Sequence, residues 1–220
     1  MKKSLERIVV GAIATNCYLI PAEDGVLVLD PGDEAPRIIE KLDAMGSVPQ
    51  AILMTHGHYD HLAGLPSLLA HYAAQNIHPE VLIHRADACF LGRDAYRFHC
   101  RSFAAVTGGD TSFVDALWDE LPEPSRILED GDRVGTWTVL HLPGHSEGSS
   151  AFYDEQAGIL ISGDTLFEGA VGRTDLPESN PRDLKESLDR LWKLPAATKV
   201  YPGHGEATSI GREMRYVNSD

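Results

Sequence analysis

Short apolar runs alternate with polar breaks along the first thirty or so residues. Arg7 to Gly11, Cys17 to Ile20 and Val26 to Asp30 are rich in Val, Ile, Leu and Tyr, and Asn16 and Asp24-Gly25 separate them. This is the composition and punctuation of successive strands joined by turns, and antiparallel pairing is expected. From Asp33 the period changes. Ile38, Leu42 and Met45 recur at helical spacing, Pro36 stands near the start and Gly46 follows the last apolar residue, which predicts an amphipathic helix lying on the sheet. Ala51-Ile52-Leu53-Met54 reads as a buried strand, residues 62–73 as a helix with Leu65, Leu68, Leu69 and Tyr72 towards the core, and Val81 to His84 as another strand. A meander followed by alternating strand and helix implies a layered α/β protein.

Residues 85–125 break that rhythm. Leu91, Phe98, Phe103, Phe113, Leu117 and Trp118 are scattered among Gly108-Gly109, Pro122 and Pro124, so a helical insertion with loops is expected, either covering the core or shaping a pocket or an oligomer contact. The strand pattern returns at Arg126-Ile127-Leu128 and, after a turn at Asp130-Gly131-Asp132, at Thr136 to His141, Ala151 to Tyr153 and Gly158 to Ser162. Asn180 is placed to cap a helix that starts at Pro181 and buries Leu184, Leu188, Leu191 and Leu194. Lys199 to Tyr201 is the last predicted strand.

Composition narrows the picture. At 220 residues and 43% hydrophobic content the chain suits one domain over 1–220 with a substantial core. A net charge of −14, from 33 acidic and 19 basic residues, disfavours nucleic acid as a partner and leaves a small molecule. Glu6 and Arg7 interrupt the apolar stretch that an export signal would need after Lys2 and Lys3, and no run is long enough to span a membrane. A cytoplasmic chain without membrane contact is expected. Cys17, Cys89 and Cys100 have no metal-binding spacing and read as buried thiols.

The candidate chemistry is concentrated in Thr55-His56-Gly57-His58-Tyr59-Asp60-His61, directly after a predicted strand. Three imidazoles and a carboxylate in six residues call for a cation. Three more donors stand in the same context, each after an apolar strand and beside glycine: His145 in Pro143-Gly144-His145, Asp164 in Ser162-Gly163-Asp164 and His204 in Pro202-Gly203-His204. Two metals can share these seven residues, with His56, His58 and His145 at one corner, Asp60, His61 and His204 at the other, and Asp164 between them. Ligands two residues apart would oppose one another on a helix, so an irregular loop must carry them. Asp30, at a strand end before Pro31-Gly32, either caps the turn or steers a metal-bound histidine from behind. His71, His78, His84, His99 and His141 lack the strand-end context and read as structural or surface residues, with His84 the nearest exception.

The run from Thr55 to His61, with His145, Asp164 and His204 following in order, resembles the signature of the metallo-β-lactamase superfamily over nearly the whole chain. The resemblance implies a four-layer αβ/βα sandwich with mixed sheets, and the seven ligands just named around two divalent metal ions. Gly163-Asp164-Thr165-Leu166-Phe167 and Gly172-Arg173-Thr174-Asp175-Leu176-Pro177 are further similar to the glyoxalase II group, which hydrolyses S-2-hydroxyacylglutathione thioesters. In that group Arg173, with Thr174 beside it, would face the glutathione moiety. Two departures bear on this. Only 16 residues follow His204, where longer members carry a helical domain with basic glutathione contacts, and Gly205-Glu206-Ala207-Thr208 stands where the group has a tyrosine.

The resemblance implies hydrolysis of a small thioester, glutathione-derived or related, by a metal-bridging hydroxide that Asp60 orients as well as ligating the metal. Zinc is the default metal, although iron and manganese bind the same donors. The main rival is a persulfide dioxygenase, with one iron on His56 or its neighbour, His145 and Asp164. A lactonase and a non-catalytic metal-binding protein are further alternatives, while a β-lactamase and an RNA-processing nuclease fit the sequence less well. The oligomeric state is left open.

Overall fold

A computed structural model describes residues 5–217. Strands β1 (Glu6–Val10), β2 (Thr15–Ala22) and β3 (Gly25–Leu29) form the expected antiparallel meander. Helix α1 (Ala35–Ala44) returns the chain so that β4 (Pro49–Leu53) lies parallel to β3. Helix α2 (Leu65–Ala73) does the same for β5 (Glu80–His84), and α3 (Ala95–Thr107) with α4 (Ser112–Leu117) for β6 (Arg126–Leu128). The first sheet therefore runs β1-β2-β3-β4-β5-β6.

The second sheet begins with β7 (Arg133–Val134), β8 (Trp137–His141), β9 (Ser150–Asp154) and β10 (Ile159–Gly163), all antiparallel. A small hairpin, β11 (Leu166–Phe167) and β12 (Ala170–Val171), and helix α5 (Pro181–Leu191) follow. Then β13 (Lys199–Pro202) pairs parallel to β10, β14 (Thr208–Ser209) closes the edge, and α6 (Ile210–Val217) completes the described chain. Asn180 caps α5 as expected, its side chain accepting from the Arg182 and Asp183 amides.

Strand periodicity sorts the apolar residues into layers. Val26 and Val28 of β3 and Ile52 of β4 face Ile38, Leu42, Leu65, Leu68 and Tyr72 of α1 and α2. Their alternates Leu27, Leu29, Ala51 and Leu53 meet Trp137, Val139, Phe152 and Ile161 of the second sheet. On that sheet's far face Leu140, Ala151, Tyr153 and Leu160 pack on Leu184, Leu188 and Leu191 of α5 and Ile210 of α6. Helices flank both sheets, so the architecture is the four-layer αβ/βα sandwich.

Some local expectations change. Residues 62–64 are not helical: a single 3-10 turn covers Tyr59–His61, and the Gly64 amide donates to the Pro31 carbonyl before α2 begins. Leu194 lies beyond the end of α5, in a loop packed on its base. The cysteines are not uniformly buried. Cys17 is, Cys100 is half-buried, and Cys89 is exposed because the inward positions of its 3-10 turn, Arg85–Phe90, belong to Asp87 and Phe90. The pairs β11–β12 and β13–β14 span two residues each, too short for a periodic pattern.

His99 is buried in the face of α3 that packs on Tyr59 and Trp118, and donates from Nε2 to the Phe90 carbonyl. Burial pulls its pKa down to about 4, only partly offset by that carbonyl. A histidine whose folded pKa lies below its unfolded value stabilises the fold above the unfolded pKa, and that contribution is lost as pH falls towards the folded one. The stability advantage of the parent over His99→Gln, measured by urea unfolding, is therefore expected to shrink between pH 7 and about 4.5.

Candidate metal centre

The seven candidate ligands follow the C-terminal ends of four strands: His56 to His61 after β4, His145 after β8, Asp164 after β10 and His204 after β13. Glycines here answer to crowding as well as to turning. Gly163 adopts a left-handed φ of 50°, whereas a Cβ on Gly203 would stand 2.1 Å from Asp164 Oδ1. The loop that carries His204 is docked on the far end of the chain. Asn16 donates its amide to the Gly203 carbonyl at 2.7 Å, and the Tyr18 hydroxyl donates to the Pro202 carbonyl at 2.6 Å.

The expected corners come together. His56, His58 and His145 form one set of donors within 4.8 Å of one another, Asp60, His61 and His204 a second, and His56, His61 and Asp164 a third that overlaps both. Asp164 Oδ2 lies 3.6 Å from His145 Nε2 and 3.5 Å from His204 Nε2, so this carboxylate faces both corners. Asp60 Oδ2 is 3.3 Å from His204 Nε2 and 3.5 Å from His61 Nε2, and accepts from the Thr15 hydroxyl at 3.2 Å.

Each of the five imidazoles has an oxygen against its outward nitrogen. His56 Nδ1 lies 3.0 Å from the Thr55 hydroxyl, His61 Nδ1 3.0 Å from Asp30 Oδ2, His145 Nδ1 3.0 Å from the Arg173 carbonyl, His204 Nδ1 3.3 Å from the Ala14 carbonyl and His58 Nε2 2.8 Å from Glu178 Oε1. The Thr55 hydroxyl donates to Asp30, so it too is an acceptor for its histidine. These partners fix the tautomers by inference, with the outward nitrogen protonated and the inward one left to ligate. The inward His58 Nδ1 and His145 Nε2 then face each other at 2.9 Å, an arrangement that a shared cation satisfies. His56 Nε2, His61 Nε2 and Asp164 Oδ1 are buried without any hydrogen-bond partner. Orphaned buried donors of this kind, in a nitrogen and oxygen set, fit divalent metal ions.

The electrostatics agree. Burial opposes ionisation of both central carboxylates, yet His61 and His204 hold Asp60 at about 2, and Asp164 lies well below the usual range. Burial likewise opposes charge on His204, but Asp164 and Asp60 push it up to about 10; His61, against its own burial, is raised by Asp60 and Asp164. At the other corner burial and neighbouring imidazoles lower His56 well below its ordinary value and His145 to about 4. One corner thus holds protons that serve carboxylates, in positions that a divalent cation would take when bound.

Of the two roles considered for Asp30, the side chain is placed for the second: it backs His61 and accepts from the Thr55 amide and hydroxyl, while its own turn is closed by the Asp30 backbone carbonyl accepting from the Gly32 amide. Two supports were not visible in the sequence. Asp87, 1% exposed, accepts from the Gly57 amide, the Gly148 amide and the Ser146 hydroxyl, clipping the two ligand loops together. It follows β5 as Asp30 follows β3, and that strand-end position was its one available signal. Glu178 backs His58 and is itself held by the Ser102 hydroxyl of α3 at 2.6 Å. Nothing local marks it, since its histidine is 120 positions away. Arg173 contributes its backbone carbonyl to His145, while its guanidinium makes a two-pronged pair with Asp175 at 2.7 and 2.9 Å. Thr174 is half-buried beside it. His84, which also ends a strand, stacks on His141 at 3.9 Å, away from the seven ligands.

A cavity of about 530 Å³ opens over the centre, with His58, Asp60, His145, Asp164 and His204 on its floor. Its size is that of a small-molecule site.

The family model of the metallo-beta-lactamase superfamily matches residues 10–204, and the chain belongs to this superfamily of metallo-hydrolases. Among individual proteins, it is 31% identical over 226 residues to the hydroxyacylglutathione hydrolase GloC of Haemophilus influenzae, covering 98% of this chain and 99% of that one. It also resembles the solved structure of TTHA1623 in a di-iron-bound form, at 36% identity and a TM-score of 0.79 over 96% of this chain and 98% of that one. The BLEG-1 B3 metallo-beta-lactamase matches at 30% identity and a TM-score of 0.79, covering 96% and 97%. Among the described residues no helix is long and apolar enough to cross a membrane.

Glu178→Gln removes the charge behind His58 and is expected to weaken metal binding about 10- to 100-fold, measured by competition with a chromogenic chelator. Asp87→Ala leaves the Gly57 and Gly148 amides unpaired, while the Ser146 hydroxyl keeps Ser149, and is expected to cost about 2–4 kcal/mol in urea unfolding.

Proposed function

We propose that this chain hydrolyses thioesters with two divalent metal ions held by His56, His58 and His145 on one side, by Asp60, His61 and His204 on the other, and by Asp164 between them. The observation that carries the reading is the inward convergence of five imidazole nitrogens, each backed by an oxygen, on two carboxylates beneath an open cavity. Bound there, the cations supply a hydroxide at neutral pH and a Lewis acid for the acyl oxygen.

The chain's own residues do the rest. The backing oxygens keep each imidazole in the ligating tautomer. Asp60, ionised and facing the cavity, accepts a hydrogen bond from the attacking water and fixes its line of approach to the acyl carbon. Nothing in this scheme needs a nucleophilic side chain, and the buried Cys17 thiol, raised by desolvation, is unsuited to act as one. The relative named hydroxyacylglutathione hydrolase supports the thioester class, and the di-iron form of TTHA1623 supports two metals and admits iron beside zinc.

The test is to load metal-free protein with zinc, iron or manganese, count the bound metal and follow thiol release from S-lactoylglutathione and simpler thioesters. Two metals per chain and metal-dependent hydrolysis are expected, with Asp60→Asn lowering kcat about 10²-fold or more. One bound iron, oxygen uptake on a persulfide and no thiol release would overturn the reading.

A further inference from the structure

The cavity above the centre is built from two unlike parts. Its floor is polar and carries the ligands, while its wall is made by Ile13 of the β1–β2 turn, Phe103 and Val106 of α3, Phe167 and Val171 of the small hairpin, and Leu176 of the loop that follows. Separate segments of the chain thus turn apolar side chains to one space. Two of them are poorly buried, Ile13 at 42% and Val106 at 38% exposed, and are not accounted for by core packing. Among the described residues the only arginine or lysine lining the cavity is Arg173, and its guanidinium is already engaged by both oxygens of Asp175. A carboxylate-bearing substrate arm would have to displace that pair, because among the described residues no other arginine or lysine lines the space to receive it.

From this we infer that the site takes an uncharged acyl thioester whose apolar chain lies along the Phe103, Val106 and Val171 wall, rather than a substrate recognised through an anionic thiol such as glutathione. The inference rests on the thioester reading and specifies which end of the substrate is read. In hydrolysis a C–O bond forms at the acyl carbon, the C–S bond breaks, and its electron pair leaves on sulfur, which is then protonated from the water consumed. The thiol end therefore becomes charged during the reaction, and an apolar wall would oppose it. The acyl chain stays neutral from substrate to product up to its terminal carboxyl, which forms on the polar floor. The wall suits that end.

The experiment uses metal-loaded protein and two matched series, acetyl to octanoyl thioesters of N-acetylcysteamine and of glutathione, with calorimetric binding of acetate and octanoate alongside. Each methylene that enters the wall is expected to raise kcat/KM about fourfold, so octanoyl, with four more, should exceed butyryl by about 250-fold, with no gain from glutathione. Octanoate should bind more tightly than acetate. Val106→Glu, at a half-exposed position that the fold tolerates, should collapse the octanoyl-to-acetyl ratio. Hydrolysis that is flat with chain length, or faster on the glutathione series, overturns the inference and leaves thioester hydrolysis standing. Failure to hydrolyse either series, with octanoate still bound in preference to acetate, overturns the proposed function and leaves the apolar acyl site.

Discussion

A neutral imidazole that gives its one proton to a fixed oxygen on its outer side presents a lone pair on the other, and in this chain five such rings point inward at two carboxylates. Without a cation the arrangement is unfavourable, because unprotonated nitrogens approach one another and carboxylates must borrow protons from His61 and His204. The fold has to hold it in place before any metal arrives. It does so by placing the ligands at the ends of buried strands, where the backbone is already fixed on both sides, and by backing them with groups that are themselves anchored: Asp30 on the Thr55 amide, Asp87 on two loop amides and Glu178 on Ser102.

The acidic surplus of the chain acquires a partial explanation from the same arrangement. Asp30, Asp60, Asp87, Asp164 and Glu178 all lie in or directly behind the centre, and each is met by imidazoles, amides or hydroxyls rather than by arginine or lysine. The cations that would balance them are metal ions. Among the described residues the cavity then offers one arginine, already paired with Asp175, and beside it an apolar wall, the feature on which the proposed acyl selectivity rests.

Much of this could be read from the sequence because the ligands share a local grammar, an apolar strand followed by glycine and a donor, and because strand alternation such as Val26, Leu27, Val28, Leu29 divides cleanly between two cores. What stayed hidden depends on partners distant in sequence. Glu178 sits in a loop of ordinary composition and acquires its role from a histidine in the other half of the chain, and Ser102 acquires its role from Glu178. Cys89 looked like a core thiol because composition does not reveal that a 3-10 turn directs Asp87 and Phe90 inward in its place. The two-residue strands carry no period at all, yet one of these hairpins supplies the cavity with Phe167 and Val171.

The docking of the Gly203 and His204 loop on β2, through Asn16 and Tyr18, has a consequence for how the protein comes into being. The His56, His58 and His145 corner has all its ligands once about two thirds of the chain has been synthesised, whereas the other corner waits for His204 and for its return to a strand made near the start. During synthesis a nascent chain can therefore offer a partial, nitrogen-rich site while its second site does not yet exist. Closing this loop, which spans most of the chain, is the same event as bringing His204 to Asp60 and His61, so the last of the clustered ligands arrives only with the long-range closure of the fold.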